Sequence, residues 1–145
     1  MKIHKIILHN IRSYQYQEIN FPVGTVLLSG EVGSGKSSIL LGLDFALFGI
    51  QSGVLPGGSL LRNGTMNGYV EIIFEINYAL VKVRRTLKRH GNSVVQDSGY
   101  IDVNGQRDDL SPIEIKNRVL NLLNYPEELV TKSKNLIYRY TVYTP

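Results

Sequence analysis

The sequence predicts an α/β fold built around a phosphate-binding loop: a mixed sheet with an antiparallel β-subdomain that covers the helix after the loop. Three observations predict it. Gly30-Glu31-Val32-Gly33-Ser34-Gly35-Lys36-Ser37 matches G-x-x-x-x-G-K-[ST] in full, between a short apolar run and an apolar helix. From Val70 to Lys88 apolar and polar residues alternate with period two, broken at Asn77-Tyr78. Ser111-Pro112-Ile113-Glu114 is a capping box with proline at the first helical position.

The elements follow in order. Lys2 to Asn10, rich in Ile and Leu, is a strand. Gln15 to Phe21 is a second, with Gln17, Ile19 and Phe21 on one face, and Pro22-Val23-Gly24 is a turn. Thr25 to Ser29 is short and apolar, the pattern of a strand buried on both faces. Ser37 to Phe48 is a helix apolar nearly all round and therefore buried, with Gly49 placed for a left-handed C-terminal cap. Residues 51–68, with five glycines and a proline, are a loop. A hairpin turns at Asn77-Tyr78 and another at Asn104-Gly105, the strongest two-residue turn signal. The helix from Ser111 runs through Leu123 with Ile115, Val119, Leu122 and Leu123 on one face. Tyr125-Pro126 ends it, because the residue before proline avoids helix. A short helix near Glu127 and a strand over Leu136 to Tyr143 complete the expectation.

Composition narrows the function classes. The 145 residues are 43% hydrophobic and 19% charged, which excludes disordered and collagen-like chains. With no cysteine, disulfide scaffolds, thiolate zinc sites and cysteine nucleophiles are excluded together. The longest apolar stretch, Ile39 to Ile50, is broken by Gly42, Asp44 and Gly49 and falls short of the ~20 residues of a membrane span. No membrane partner and a cytoplasmic or nucleoid-associated location are therefore expected. The net charge of +4 permits nucleic-acid contact without demanding it.

Phosphate binding needs the Gly30–Ser37 pattern for a physical reason. Glycines let the backbone curl so that successive N–H groups point inward at a phosphate, and the following helix brings its positive end to the same place. Lys36, the candidate catalytic cation, can reach the β- and γ-phosphates, and the Ser37 hydroxyl can bind Mg²⁺. A chance match in a chain of this length is on the order of 1% given average glycine usage. Hydrolysis also needs a second carboxylate for Mg²⁺ and a base for the attacking water. Asp44 lies two turns into the helix and cannot reach back, and Glu75 ends an alternating run that fits a hairpin face. The sequence thus holds half of an ATPase.

Asn10-Ile11-Arg12-Ser13-Tyr14 ahead of Gly30 to Ser38, with the strand over Lys2 to Ile7 before it, resembles the opening of SMC-type ABC ATPases. The branch it most resembles is that of the SbcC and Rad-fifty repair ATPases, archaeal forms included. Leu60-Leu61-Arg62-Asn63-Gly64, Val83 to Arg89, Leu110-Ser111-Pro112 and Tyr138 to Pro145 are similar to the same branch, so the resemblance spans residues 1–145 as a single N-terminal lobe of a split head. It implies a long coiled coil after this lobe, with a zinc hook in the repair branch. A C-terminal lobe then supplies the signature motif, the metal-binding Asp and the catalytic Glu, and a metal-sensing Gln directly follows Pro145. It implies that two heads sandwich two MgATP molecules, engage on binding ATP and release on hydrolysis. That cycle couples to DNA tethering and, in the repair branch, to a nuclease of the Mre-eleven or SbcD type.

The resemblance also assigns residues. The amides of Gly33 to Ser38 would cradle the α- and β-phosphates, with Gly30, Val32, Ser34, Gly35, Lys36 and Ser37 in the loop; Val32 stands where much of the family has Asn. Arg12, with Ser13 beside it, lies near the nucleotide, where a guanidinium at the end of the first strand can reach a phosphate. Arg62 and Asn63 correspond to the segment near the adenine. Gly57-Gly58-Ser59 is only superficially like a signature motif.

Lys82, Arg84 and Lys88 share one strand face and form a linear basic footprint for DNA phosphates; a solvated hairpin face is the other reading. Arg85 falls on the apolar face and is expected to meet a buried acceptor. His4, His9 and His90 lack ligand spacing; of the nine scattered tyrosines, Tyr138 and Tyr140 could stack bases, with core or interface packing the favoured reading. The residues 1–145 alone are expected to bind ATP without turning it over. The competing functions are a chromosome-organising SMC-like ATPase without a nuclease and, from another class, a small P-loop kinase or GTPase. The last lacks a guanine-reading Asn-Lys-x-Asp motif here.

Overall fold

The structure, a computed structural model, describes residues 1–31, 33, 35–50 and 57–125. Nine elements run in the order β1 (Lys2–Ile11), β2 (Tyr14–Asn20), α1 (Lys36–Phe48), α2 (Gly57–Leu60), β3 (Asn67–Ile76), β4 (Ala79–His90), β5 (Ser93–Val103), β6 (Gln106–Leu110) and α3 (Pro112–Leu122). The strands form one six-stranded sheet ordered β2-β1-β3-β4-β5-β6, antiparallel at each junction.

Period-two patterning sets the sheet's inner face. Ile6, Leu8, Val70, Ile72, Phe74, Val81, Val83, Leu87 and Ile101 are buried in one cluster with Phe45, Ala46 and Leu47 of α1 and Ile115, Val119 and Leu120 of α3. At about 1.5–3 kcal/mol per fully buried large aliphatic or aromatic side chain, this layer is the main source of stability. The helix carrying the phosphate loop is pressed close to the sheet. A Cβ at Gly42 would lie 2.8 Å from Leu8 Cδ2 and 3.3 Å from Ile6 Cδ1.

The other end of α1 is held by a buried cation. Arg85, only 2% exposed, donates from Nε to Ala46 O at 2.9 Å, from Nη2 to Leu47 O at 3.2 Å and from Nη1 to Pro112 O at 3.2 Å. Helix C-terminal carbonyls lack intrahelical partners and carry partial negative charge, so they suit a guanidinium. Burial presses Arg85 down to about 9, which leaves it charged at neutral pH.

The Asn77-Tyr78 and Asn104-Gly105 hairpins form as expected, with positive φ at all four residues. So does the α3 capping box: Glu114 N donates to Ser111 Oγ and Ser111 N to Glu114 Oε2. Three expectations change. Thr25 to Ser29 is an extended segment outside the sheet, with Leu27 86% exposed. A strand buried on both faces needs neighbours on both edges, and none of the six strands pairs with it. Gly49 takes φ +79° and ψ −165°, a glycine conformation other than the left-handed helical one, with its N–H on Phe45 O. Within the expected loop, residues 57–60 make a helical turn and β3 already begins at Asn67. The helix near Glu127 and the strand over residues 136–143 lie outside the described residues.

Candidate nucleotide site

The β1–β2 connection is a two-residue hairpin: Ile11 pairs with Tyr14, so Arg12 and Ser13 are its tip. Arg12 adopts φ +51°, a left-handed conformation that costs a non-glycine residue about 1–2 kcal/mol. The tip is held in this shape by the segment after α2. Arg12 N donates to Leu60 O at 2.8 Å, Arg62 N to Asn10 O at 2.9 Å, and Arg62 Nη1 to Arg12 O at 3.1 Å.

The glycine-rich loop enters α1 opposite this tip. Gly33 and Gly35 have φ +86° and +93°, and Gly35 is the helix N-cap, with no side-chain cap hydrogen bond. The first N–H groups of an α-helix have no intrahelical partners, so an N-terminus capped by bare glycine leaves them to a ligand. Arg12, Ser13, Gly33, Gly35, Lys36, Ser37 and Ser38 line one cleft of about 490 Å³. Two cations, the three hydroxyls of Ser13, Ser37 and Ser38, and a helix N-terminus converge there, a chemistry that selects an anion.

Lys36 is held by the loop itself. Its Nζ donates to Gly30 O and, at 3.1 Å, to Glu31 O. An ammonium has three N–H donors, so two fix it over the loop and one remains for a ligand oxygen. Glu31 is exposed and contributes its carbonyl. Ser37, in the cleft lining, could offer one hydroxyl to a Mg²⁺ ion. The described residues hold no cluster of three or more His, Cys, Asp or Glu, so a metal held there would take its remaining ligands from the nucleotide, water and residues outside this set.

Of the sequence-expected site, Arg12, Ser13, Gly33, Gly35, Lys36, Ser37 and Ser38 meet in the cleft, and Gly30 touches Lys36. Arg62 stands one layer back, on the Arg12 carbonyl. Asn63 lies in the turn that follows, away from the cleft lining. Val32 and Ser34 lie outside the described residues. Asp44 is buried on α1, and Glu75 is exposed beside His4 at 3.4 Å. Sequence reasoning gave no role to Tyr14, which packs directly on Gly35.

The basic strand face is more structured than alternation implies. Arg84 Nε donates to Glu71 Oε2 at 2.7 Å, and its guanidinium lies 3.8 Å from the Tyr69 ring centroid. Glu71 is buried and also accepts from the Tyr100 hydroxyl. Desolvation first, then Glu71, pushes that phenol up to about 12. Lys82 and Lys88 flank Arg84 on the same face.

The profile of a known family, described as AAA domain, matches residues 5–145. The DNA double-strand break repair Rad50 ATPase of Methanococcus maripaludis is 31% identical over 138 residues, covering 95% of this chain and 13% of that protein. Its namesake from Methanocaldococcus jannaschii is 38% identical over 85 residues, 59% of this chain and 8% of the relative. The chain thus spans a small fraction of the curated relatives it matches. Among solved structures, the SMC head domain from Thermotoga maritima aligns with TM-score 0.55 and 25% identity over 81% of this chain and 42% of that one. The recombination mediator RecF aligns with TM-score 0.61 at 24% identity over 78% of this chain and 29% of that one, a likeness of fold. With its phosphate loop, the arginine turn beside it and a profile match over nearly its whole length, the chain belongs to the AAA_23 family of AAA domains, in the part it shares with archaeal Rad50 ATPases and the SMC head.

Proposed function

We propose that this chain is the nucleotide-binding lobe of an SMC-like ATPase acting in DNA double-strand-break repair. The observation that carries the reading is the convergence of Lys36, Ser37, the glycine-capped start of α1 and the Arg12–Ser13 tip on one cleft. In it the α1 amides receive the β-phosphate, Lys36 and Arg12 neutralise its negative charge, and Ser37 ligates Mg²⁺. The relatives' name supports repair as the setting.

Turnover requires a second lobe with the missing acid. The exposed segment beside β1 supports a missing neighbour: Met1, Ile3, Phe21, Val23, Val26 and Leu43 line an apolar groove of about 340 Å³. ATP then joins two heads, and release follows hydrolysis. DNA runs along the Lys82 and Lys88 face, with Arg84 between them, and a nuclease of the Mre-eleven or SbcD class acts on it. The likeness to the SMC head favours a second reading, a chromosome-organising ATPase with no nuclease. Co-purification of a nuclease separates the two.

Calorimetric titration of the chain with MgATP tests the first step. Saturable binding is expected, weakened at least tenfold by Lys36→Ala, with no steady-state turnover. Turnover by the chain alone that Lys36→Ala abolishes overturns the need for a second lobe. Equal binding by both proteins overturns the site.

A further inference from the structure

Tyr14 is the first residue of β2 and sits directly behind the Arg12–Ser13 tip. Two facts tie it to the phosphate loop. Its hydroxyl donates to Gly35 O at 3.3 Å. Its ring occupies the space a side chain at Gly35 would take: a Cβ there would fall 2.8 Å from Tyr14 Cζ and 3.1 Å from Cε2. The hydroxyl end of the phenol therefore fills the space beside the bare Cα of the helix N-cap.

The same Gly35 carbonyl accepts the first hydrogen bond of α1, from Ile39 N at 3.3 Å. A carbonyl has two lone pairs and can take both donors. Tyr14 thus grips the peptide at which loop becomes helix, where the backbone must hold φ +93°. A two-residue hairpin has little freedom of its own, so the tip that lines one side of the cleft and the ring that fixes the other side move as one body.

We propose that Tyr14 is a positioning residue for nucleotide binding: it touches no phosphate, and it presets the phosphate loop by locking Gly35 to the Arg12–Ser13 tip. The inference rests on reading the cleft as a nucleotide site. A preset loop avoids an ordering cost on binding, and the benefit goes to any ligand carrying a β-phosphate.

The test is equilibrium binding of MgATP and of MgADP to the chain, to Tyr14→Phe and to Tyr14→Leu, with ligand-free urea unfolding and amide exchange of each. Tyr14→Phe is expected to weaken both nucleotides by the same factor, about three- to tenfold, the range one hydrogen bond commands. It should speed exchange at the Ile39 amide and leave the ligand-free unfolding midpoint in place. Tyr14→Leu, which also removes the ring, should lose more than tenfold. Wild-type affinity in both variants overturns the proposal. So does a fall in the Tyr14→Phe midpoint large enough to account for its loss of affinity, since the residue is then general packing. If the unaltered chain binds no MgATP, or Lys36→Ala binds as well as it does, the nucleotide reading fails, and the proposal with it. Normal binding with Lys36 dependence but no Tyr14 effect fails the proposal alone.

Discussion

Arg85 Nε donates to the carbonyl of Ala46 at 2.9 Å, joining the middle of β4 to the last turn of the helix whose first turn lines the candidate nucleotide cleft. Its other bonds, to Leu47 O, Pro112 O and, at 3.4 Å, Gln96 Oε1 of β5, make one guanidinium the meeting point of α1, α3 and the sheet.

Replacing Arg85 tests this directly. Arg85→Leu removes the guanidinium donor from two buried carbonyl oxygens, on Ala46 and Leu47, and from the half-buried Pro112 carbonyl. At about 1–3 kcal/mol for each buried unsatisfied group, the loss should be ~3 kcal/mol or more. Arg85→Lys places a point charge where a planar fork bonds in three directions and should recover only part of it. Urea denaturation measures both. A Leu variant within about 0.5 kcal/mol of the original chain, the range of a neutral surface change, contradicts the account.

Much of the fold was legible because its signals are local. Alternation located β3 and β4, Asn-Tyr marked the turn between them, Asn-Gly marked the turn between β5 and β6, and Ser111 with Glu114 marked the start of α3. The cleft's loop was legible because its chemistry dictates a contiguous motif. Three things were not. Thr25 to Ser29 has a strand's composition, but a strand is defined by neighbours, and composition does not reveal whether they exist. Tyr14 meets Gly35 across 21 residues of chain, a contact no periodicity encodes. Arg84 reads as a free cation in the alternation, yet cross-strand register puts Glu71 opposite it, and the pair closes on itself.

The capping box gives a pH dependence with a definite sign. Bonds from the Ser111 amide, then its hydroxyl, hold Glu114 below its usual value of 4.5. A carboxylate depressed in the folded state contributes stability that is complete above its unfolded value and lost as pH falls through its folded one. The stability difference between the chain and Glu114→Gln should be constant above about pH 5 and shrink progressively below about pH 4.5. Unfolding midpoints across that range check it. A difference that grows on acidification contradicts the assignment.

The Glu71–Arg84 pair sharpens the DNA prediction. Each free cation that meets a phosphate adds about one unit to the slope of log affinity against log salt. Lys82→Glu and Lys88→Glu should each weaken duplex DNA binding and flatten that slope. Arg84→Gln should do less to it, because its guanidinium is already bonded to a buried carboxylate. Filter binding over a salt series reads the slopes. An unchanged slope in the double lysine variant removes this face from the DNA path.

The most direct measurement is a crystal structure of the chain with Mg²⁺ and a non-hydrolysable ATP analogue. The account predicts the β-phosphate on the amides between Gly33 and Ser38, Lys36 Nζ and the Arg12 guanidinium within bonding distance of phosphate oxygens, and the metal on Ser37 Oγ. An analogue bound elsewhere, with the Gly35 turn and the Arg12–Ser13 tip untouched by phosphate, contradicts it.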